Sequence, residues 1–143
     1  MATMLLIAGL FFPCWLPVLA AQDQFDDQAV AAFFSLTGYQ AGVPMEMTAT
    51  AYDACIQCCG KTDRITKSGT RALPGHTIAV DPKVIPLGTQ VYIETLGVFT
   101  AEDTGRAIKG RRIDIYMETH EQAFKFGIKN LKVYMLNDKV TEL

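Results

Sequence analysis

The rhythm of hydrophobic and polar positions changes twice along this chain. From Met4 to Leu19 the residues are almost uniformly apolar, in a run interrupted by Pro13 and Pro17. Around Gln28 to Phe34 the spacing is that of a short amphipathic helix. From Met45 the pattern alternates, with Met45, Met47, Ala49 and Ala51 set against Glu46, Thr48, Thr50 and Tyr52. A period of two is what a strand with one buried face requires. The same signature predicts strands over 77–81, 89–95, 98–103, 112–117 and 131–136. They are separated by Gly and Pro breaks at Pro74-Gly75, Pro82, Pro86-Leu87-Gly88, Gly97, Gly105 and Gly110. One further helix is predicted, with Thr119 as N-cap, Gln122 in capping-box position and Gly127 just past its end. Six strands with one or two short helices predict a mainly β fold closed into a small barrel.

Composition divides the chain rather than characterising it as a whole. Half of the 143 residues are hydrophobic, but positions 1–20 hold 16 of them and no charged residue. The remaining 123 residues are about 45% hydrophobic, ordinary for one soluble domain. Val18-Leu19-Ala20 before Ala21 fits a small-residue cleavage site, although Met1-Ala2-Thr3 lacks the usual positive charge. The expected organisation is therefore a signal peptide over 1–20 and a linker or short amphipathic helix over 21–44. The barrel is expected to occupy 45–143. The expected location is outside the cytoplasm, secreted or in the cell envelope, with no stable membrane span after cleavage; a leader kept as an uncleaved anchor is the alternative. All 13 Lys and Arg residues lie at or after Lys61 and the net charge is −2, a balance too weak to suggest a nucleic-acid binder, so no nucleic-acid partner is expected.

Three aspartates stand at or near predicted strand ends. Asp114 lies between Ile113 and Ile115, so alternation sends the isoleucines into the core and puts Asp114 on the other face with Arg112 and Tyr116. Asp103 closes the preceding strand ahead of Thr104-Gly105, and Asp81 is followed by Pro82. Each position also suits a turn cap, and spacing alone leaves that alternative open.

Several blocks occur together in order: Thr66-Lys67-Ser68-Gly69-Thr70, Thr77-Ile78-Ala79-Val80-Asp81-Pro82, Ile85-Pro86-Leu87-Gly88-Thr89, Glu102-Asp103-Thr104-Gly105, Ile108-Lys109-Gly110 and Arg112-Ile113-Asp114-Ile115-Tyr116. They resemble the 3D domain, named for three aspartates. They also resemble the catalytic region of the membrane-bound lytic transglycosylase A family and of small stationary-phase muralytic proteins. The resemblance covers about residues 45–137 and implies a six-stranded double-psi β-barrel. The implied activity is cleavage of the β-1,4 bond between N-acetylmuramic acid and N-acetylglucosamine in peptidoglycan. It assigns Asp81, Asp103 and Asp114 to the three family aspartates, with Asp114 as catalytic acid. A lytic transglycosylase can work with one such acid, because the C6 hydroxyl of the substrate is the nucleophile and a 1,6-anhydro sugar forms. The acid must be protonated near neutral pH, which apolar flanks and a neighbouring carboxylate, here Asp103, both favour. Thr48, Tyr52, Ser68, Thr70, Gly105 and Lys109 are the candidate substrate-binding residues. Ser68 and Thr70 fit a turn-shaping role equally well, and Lys109 fits a solvated one.

Cys55, Cys58 and Cys59 form a cluster that, in an exported protein, favours one disulfide and one remaining thiol. A zinc site completed by His76 or His120 is the alternative set below it, so neither metal nor cofactor is expected. The expected partner is the peptidoglycan glycan strand, bound by a monomer. The competing function class is a non-catalytic, expansin-like cell-wall glycan-binding module, which would keep the barrel without the chemistry.

Overall fold

In the computed structural model, residues 19–56, 60 and 62–137 are described; the predicted leader lies almost wholly outside them, as do Cys58 and Cys59. The elements run α1 (Leu19–Thr37), β1 (Gln40–Ala41), β2 (Met45–Tyr52), β3 (Thr77–Ala79), β4 (Gln90–Ile93), β5 (Gly97–Asp103), β6 (Arg112–Tyr116), α2 (His120–Phe126) and β7 (Lys129–Asn137). The strands hydrogen-bond in the order β1-β7-β2-β6-β3-β5-β4, and β4 also pairs with β7. That last pairing closes six strands, β2 to β7, into a barrel, which removes their free edges. Two pairs, β2 with β6 and β3 with β5, are parallel, and the other barrel pairs are antiparallel. Such mixing is consistent with a double-psi arrangement. The two-residue β1 extends β7 on the outside, pairing Gln40 with Asn137.

Alternation builds the core. Met47 and Ala49 of β2, Ile113 and Ile115 of β6, Val91 and Ile93 of β4, Phe99 and Ala101 of β5 and Val133 of β7 all point inward and are buried. Truncating a fully buried isoleucine such as Ile113 to alanine costs about 2–5 kcal/mol in lost burial and cavity formation. The strand expected over 77–81 ends at Ala79, where the β3–β5 register shifts. Beyond it, Asp81 O accepts from the amides of Val84 and Ile85, so the chain turns instead of pairing.

Helix α1 is longer than the short helix predicted within 21–44. Its C-terminal end sits on the barrel: the Phe33 ring stacks on Tyr92 at 4.4 Å, and Phe34 packs at 5.7 Å from Tyr134. Among the described residues, no helix is long and apolar enough to cross a membrane. Helix α2 begins as predicted, with Thr119 Oγ1 accepting from the Gln122 amide, and ends at Gly127, whose φ of 68° few other residues adopt.

Candidate active site

The parallel pairing of β2 with β6 sets Thr50 beside Asp114 and Tyr52 beside Tyr116. On the other side of β6, β3 supplies Ala79, which is in register with Asp114 and, through β5, with Asp103. Asp103 and Asp114 therefore flank a residue with only a methyl side chain. With strands spaced about 4.8 Å apart, their backbones stand about 10 Å from each other. Both carboxylates line a cleft of about 840 Å3, together with Tyr52, Thr66, Lys67, Gly105 and Arg106.

The two carboxylates are held differently. Thr50 Oγ1 donates to Asp114 Oδ1 at 2.7 Å. Burial raises the Asp114 pKa from its ordinary value, against the Thr50 hydrogen bond and the Arg112 charge, and the Asp103 charge adds to the rise. Asp103 is instead surrounded by donors. Tyr52 Oη–H donates to Oδ2 at 3.0 Å, while the amides of Lys67 and Thr104 each donate to Oδ1 at 2.9 Å. This cage matches a carboxylate acting only as acceptor. One cleft thus holds a carboxyl whose burial favours its neutral form and, across Ala79, another met by three hydrogen-bond donors.

Asp81, expected alongside these two in catalysis, is occupied elsewhere. Its Oδ1 accepts from the Lys83 amide at 3.1 Å and its Oδ2 from the Gly110 amide at 2.8 Å. These bonds, the Gly110 one foremost, hold its pKa below the ordinary value, with smaller help from the charges of Lys109 and Lys83. Asp81 ties the turn after β3 to the loop that feeds β6, the turn-capping role that its Pro82 neighbour suggested.

The candidate binding residues also separate. Tyr52 and Gly105 line the cleft. A Cβ on Gly105 would lie 2.6 Å from Ile108 Cγ1, so the loop passes a buried side chain too closely for anything larger. Ser68 Oγ donates to the Glu102 carbonyl at 2.8 Å, and Thr70 Oγ1 donates to Glu102 Oε1 at 3.0 Å, so both shape the turn. Thr48 Oγ1 donates to Asn130 Oδ1 at 3.3 Å, and Lys109 is exposed beside Asp81. Cys55 lies beside Asp53 and His120.

Contributors not singled out from the sequence as site residues include Thr50, which holds Asp114; Lys67, whose amide meets Asp103; Thr66 and Arg106, which line the cleft; and the buried Glu102. Glu102 also takes Thr77 Oγ1–H on Oε2 at 2.6 Å, and so anchors the turn whose Lys67 amide reaches Asp103. The hydroxyl-rich run of Thr66, Ser68, Thr70 and Thr77 was the available signal for a buried acceptor nearby.

The cleft can be set beside known proteins. Residues 76–137 match the family model described as the 3D domain. The cell wall-binding protein YocH of Bacillus subtilis is 41% identical over 101 residues, which cover 68% of this chain and 34% of YocH. The SPbeta prophage-derived uncharacterized protein YorM of Bacillus subtilis is 43% identical over 95 residues, covering 62% of this chain and 40% of YorM. The chain spans only about 25–40% of the length of the curated relatives it matches. Among solved structures, the lytic transglycosylase LtgG of Burkholderia pseudomallei aligns with a TM-score of 0.45 and 30% identity, over 50% of this chain and 26% of that one. Asp81, Asp103 and Asp114 all fall inside the matched span, and the chain carries a 3D domain.

Proposed function

We propose that the protein cleaves peptidoglycan glycan strands as a lytic transglycosylase, with Asp114 as its acid and base. The observation that carries this reading is the Asp114 carboxyl lining the cleft, its pKa raised by burial and, to a smaller extent, by the Asp103 charge. The 3D domain supports a role at the cell wall, and so does the cell-wall binding in the name of YocH.

Protonated Asp114 donates its proton to the glycosidic oxygen as the bond to C1 of the muramic acid residue breaks. The ionised Asp114 then accepts the proton of that sugar's C6 hydroxyl, whose oxygen closes on C1 to give the 1,6-anhydro end. One carboxyl serves both steps and no water is consumed. Asp103, fixed by Tyr52 and two backbone amides, offsets the positive charge that develops on the ring. Lys67 and Arg106 line the cleft and bring positive charge to it. The protein acts outside the cytoplasm, where this substrate lies.

The name of YocH favours a second reading, a wall-binding module that keeps the cleft without the reaction. Incubation with purified sacculi, followed by mass analysis of the soluble products, separates the two. Anhydromuropeptides support the transglycosylase. Sedimentation with sacculi and no released product supports the binder. Reducing-end products mean hydrolysis, with a second carboxylate activating water.

A further inference from the structure

Immediately beyond β2, on the far side of Tyr52 from the strand, lies a second cluster that the proposed reaction does not use. Asp53 Oδ1, Cys55 Sγ and His120 Nδ1 form a closed triangle. Its sides are 3.2 Å from thiol to carboxylate, 3.2 Å from imidazole to carboxylate and 3.8 Å from thiol to imidazole. Asp53 is buried, Cys55 half-buried, and His120 opens the exposed start of α2.

We propose that Asp53, Cys55 and His120 form a zinc-binding site that fastens the loop after β2 to the start of α2. Tetrahedral zinc takes sulfur at about 2.3 Å and nitrogen or oxygen at about 2.0–2.2 Å, which sets its ligand atoms about 3.3–3.6 Å apart. The observed triangle brackets that spacing, and the same three atoms serve all three edges. Thiolate and imidazole together select zinc over magnesium or calcium, which prefer all-oxygen shells. The fourth position takes a water or another solvent ligand. Binding displaces the proton of the Cys55 thiol, which passes to solvent, while Asp53 binds as carboxylate and His120 as neutral imidazole.

The site's position gives it a role. Asp53 directly follows Tyr52, the donor to Asp103 Oδ2, and Gly60 at the other end of the loop lines the cleft. A zinc ion at this triangle would hold one cleft wall against α2 without touching substrate. The assignment rests on the ligand triangle alone and stands whether or not the cleft is catalytic.

The test is a titration of the reduced full chain with Co2+, followed by displacement with Zn2+. One equivalent of Co2+ is expected, with tetrahedral visible absorption and a near-ultraviolet thiolate-to-metal band, both abolished by Zn2+. Cys55→Ser should remove the near-ultraviolet band, and His120→Ala should weaken binding by more than about 100-fold, beyond the loss typical of an outer-shell change. Three results would overturn the proposal. The first is a six-coordinate spectrum without the thiolate band in the wild-type chain, a readout that needs no variant to fold. The second is wild-type affinity in His120→Ala, which would assign the ion to other thiols. The third is peptide mapping that finds Cys55 in a disulfide in the protein as produced.

Discussion

Thr50 Oγ1 donates a 2.7 Å hydrogen bond to Asp114 Oδ1 across the parallel β2–β6 pair. This bond favours the charged carboxylate and opposes the burial that raises the Asp114 pKa. Replacing Thr50 by Val keeps the shape and removes the donor, so the Asp114 pKa should rise further. If protonated Asp114 is the acid, the alkaline limb of the kcat/KM profile in Thr50→Val moves to higher pH. An unshifted limb with unchanged activity would show that Thr50 does not tune the acid.

The raised Asp114 pKa also predicts a direction for stability. In the folded state Asp114 binds its proton more tightly than in the unfolded chain, so its contribution is fully present below the unfolded pKa. That contribution is lost as pH rises through the folded pKa. Asp114→Asn removes the penalty of burying the charge. The variant should melt at a higher temperature than the wild type at neutral pH, and the gap should close on acidification. Thermal melts across that pH range check the sign.

Asp81 should behave in the opposite way. Its pKa is lowered by the amides of Gly110 and Lys83, so its contribution is present above the unfolded pKa and lost as pH falls through the folded one. Asp81→Asn places an NH2 group against one of those amides and should lower the melting temperature at neutral pH. The turnover of the folded fraction should stay close to wild type. Stability unchanged together with lost turnover would return Asp81 to the chemistry.

Glu102 takes four hydrogen bonds from the 66–77 segment, the Ser68 hydroxyl and amide on its carbonyl and Thr70 and Thr77 on its carboxylate, and His76 Nε2 lies 3.8 Å from the same carboxylate. Glu102→Ala leaves two hydroxyls without their acceptor and should cost about 1–3 kcal/mol. It should also free the turn that presents the Lys67 amide to Asp103. Denaturant melts measure the first effect, and a fall in kcat larger than the change in KM reports the second.

The barrel was legible because its strands bury one face. Ile113 and Ile115 announced the core side of β6 and thereby set Asp114 on the other face. The same alternation placed Tyr116 with Asp114 but said nothing of what covers it. Its ring lies edge-on to Tyr52 at 5.4 Å and the side chain is buried, its hydroxyl pushed up in pKa chiefly by that burial. Asp81 could be read two ways, since an Asp-Pro at a strand end serves a turn or a site, and the two backbone amides that claim it come from a neighbouring residue and from a loop 29 positions away. Ser68 and Thr70 looked like sugar ligands for a similar reason, their shared acceptor Glu102 being more than 30 positions distant in sequence. Local pattern shows which face a side chain takes; which polar group meets it there depends on how the barrel closes.

The most direct measurement is the rate of anhydromuropeptide release from purified sacculi by the wild type and by Asp114→Asn, with sacculus binding measured in parallel. Release by the wild type is expected, with a loss of about 10²–10⁴-fold in Asp114→Asn as for a missing general acid, and unchanged binding. Release by Asp114→Asn at the wild-type rate would contradict it.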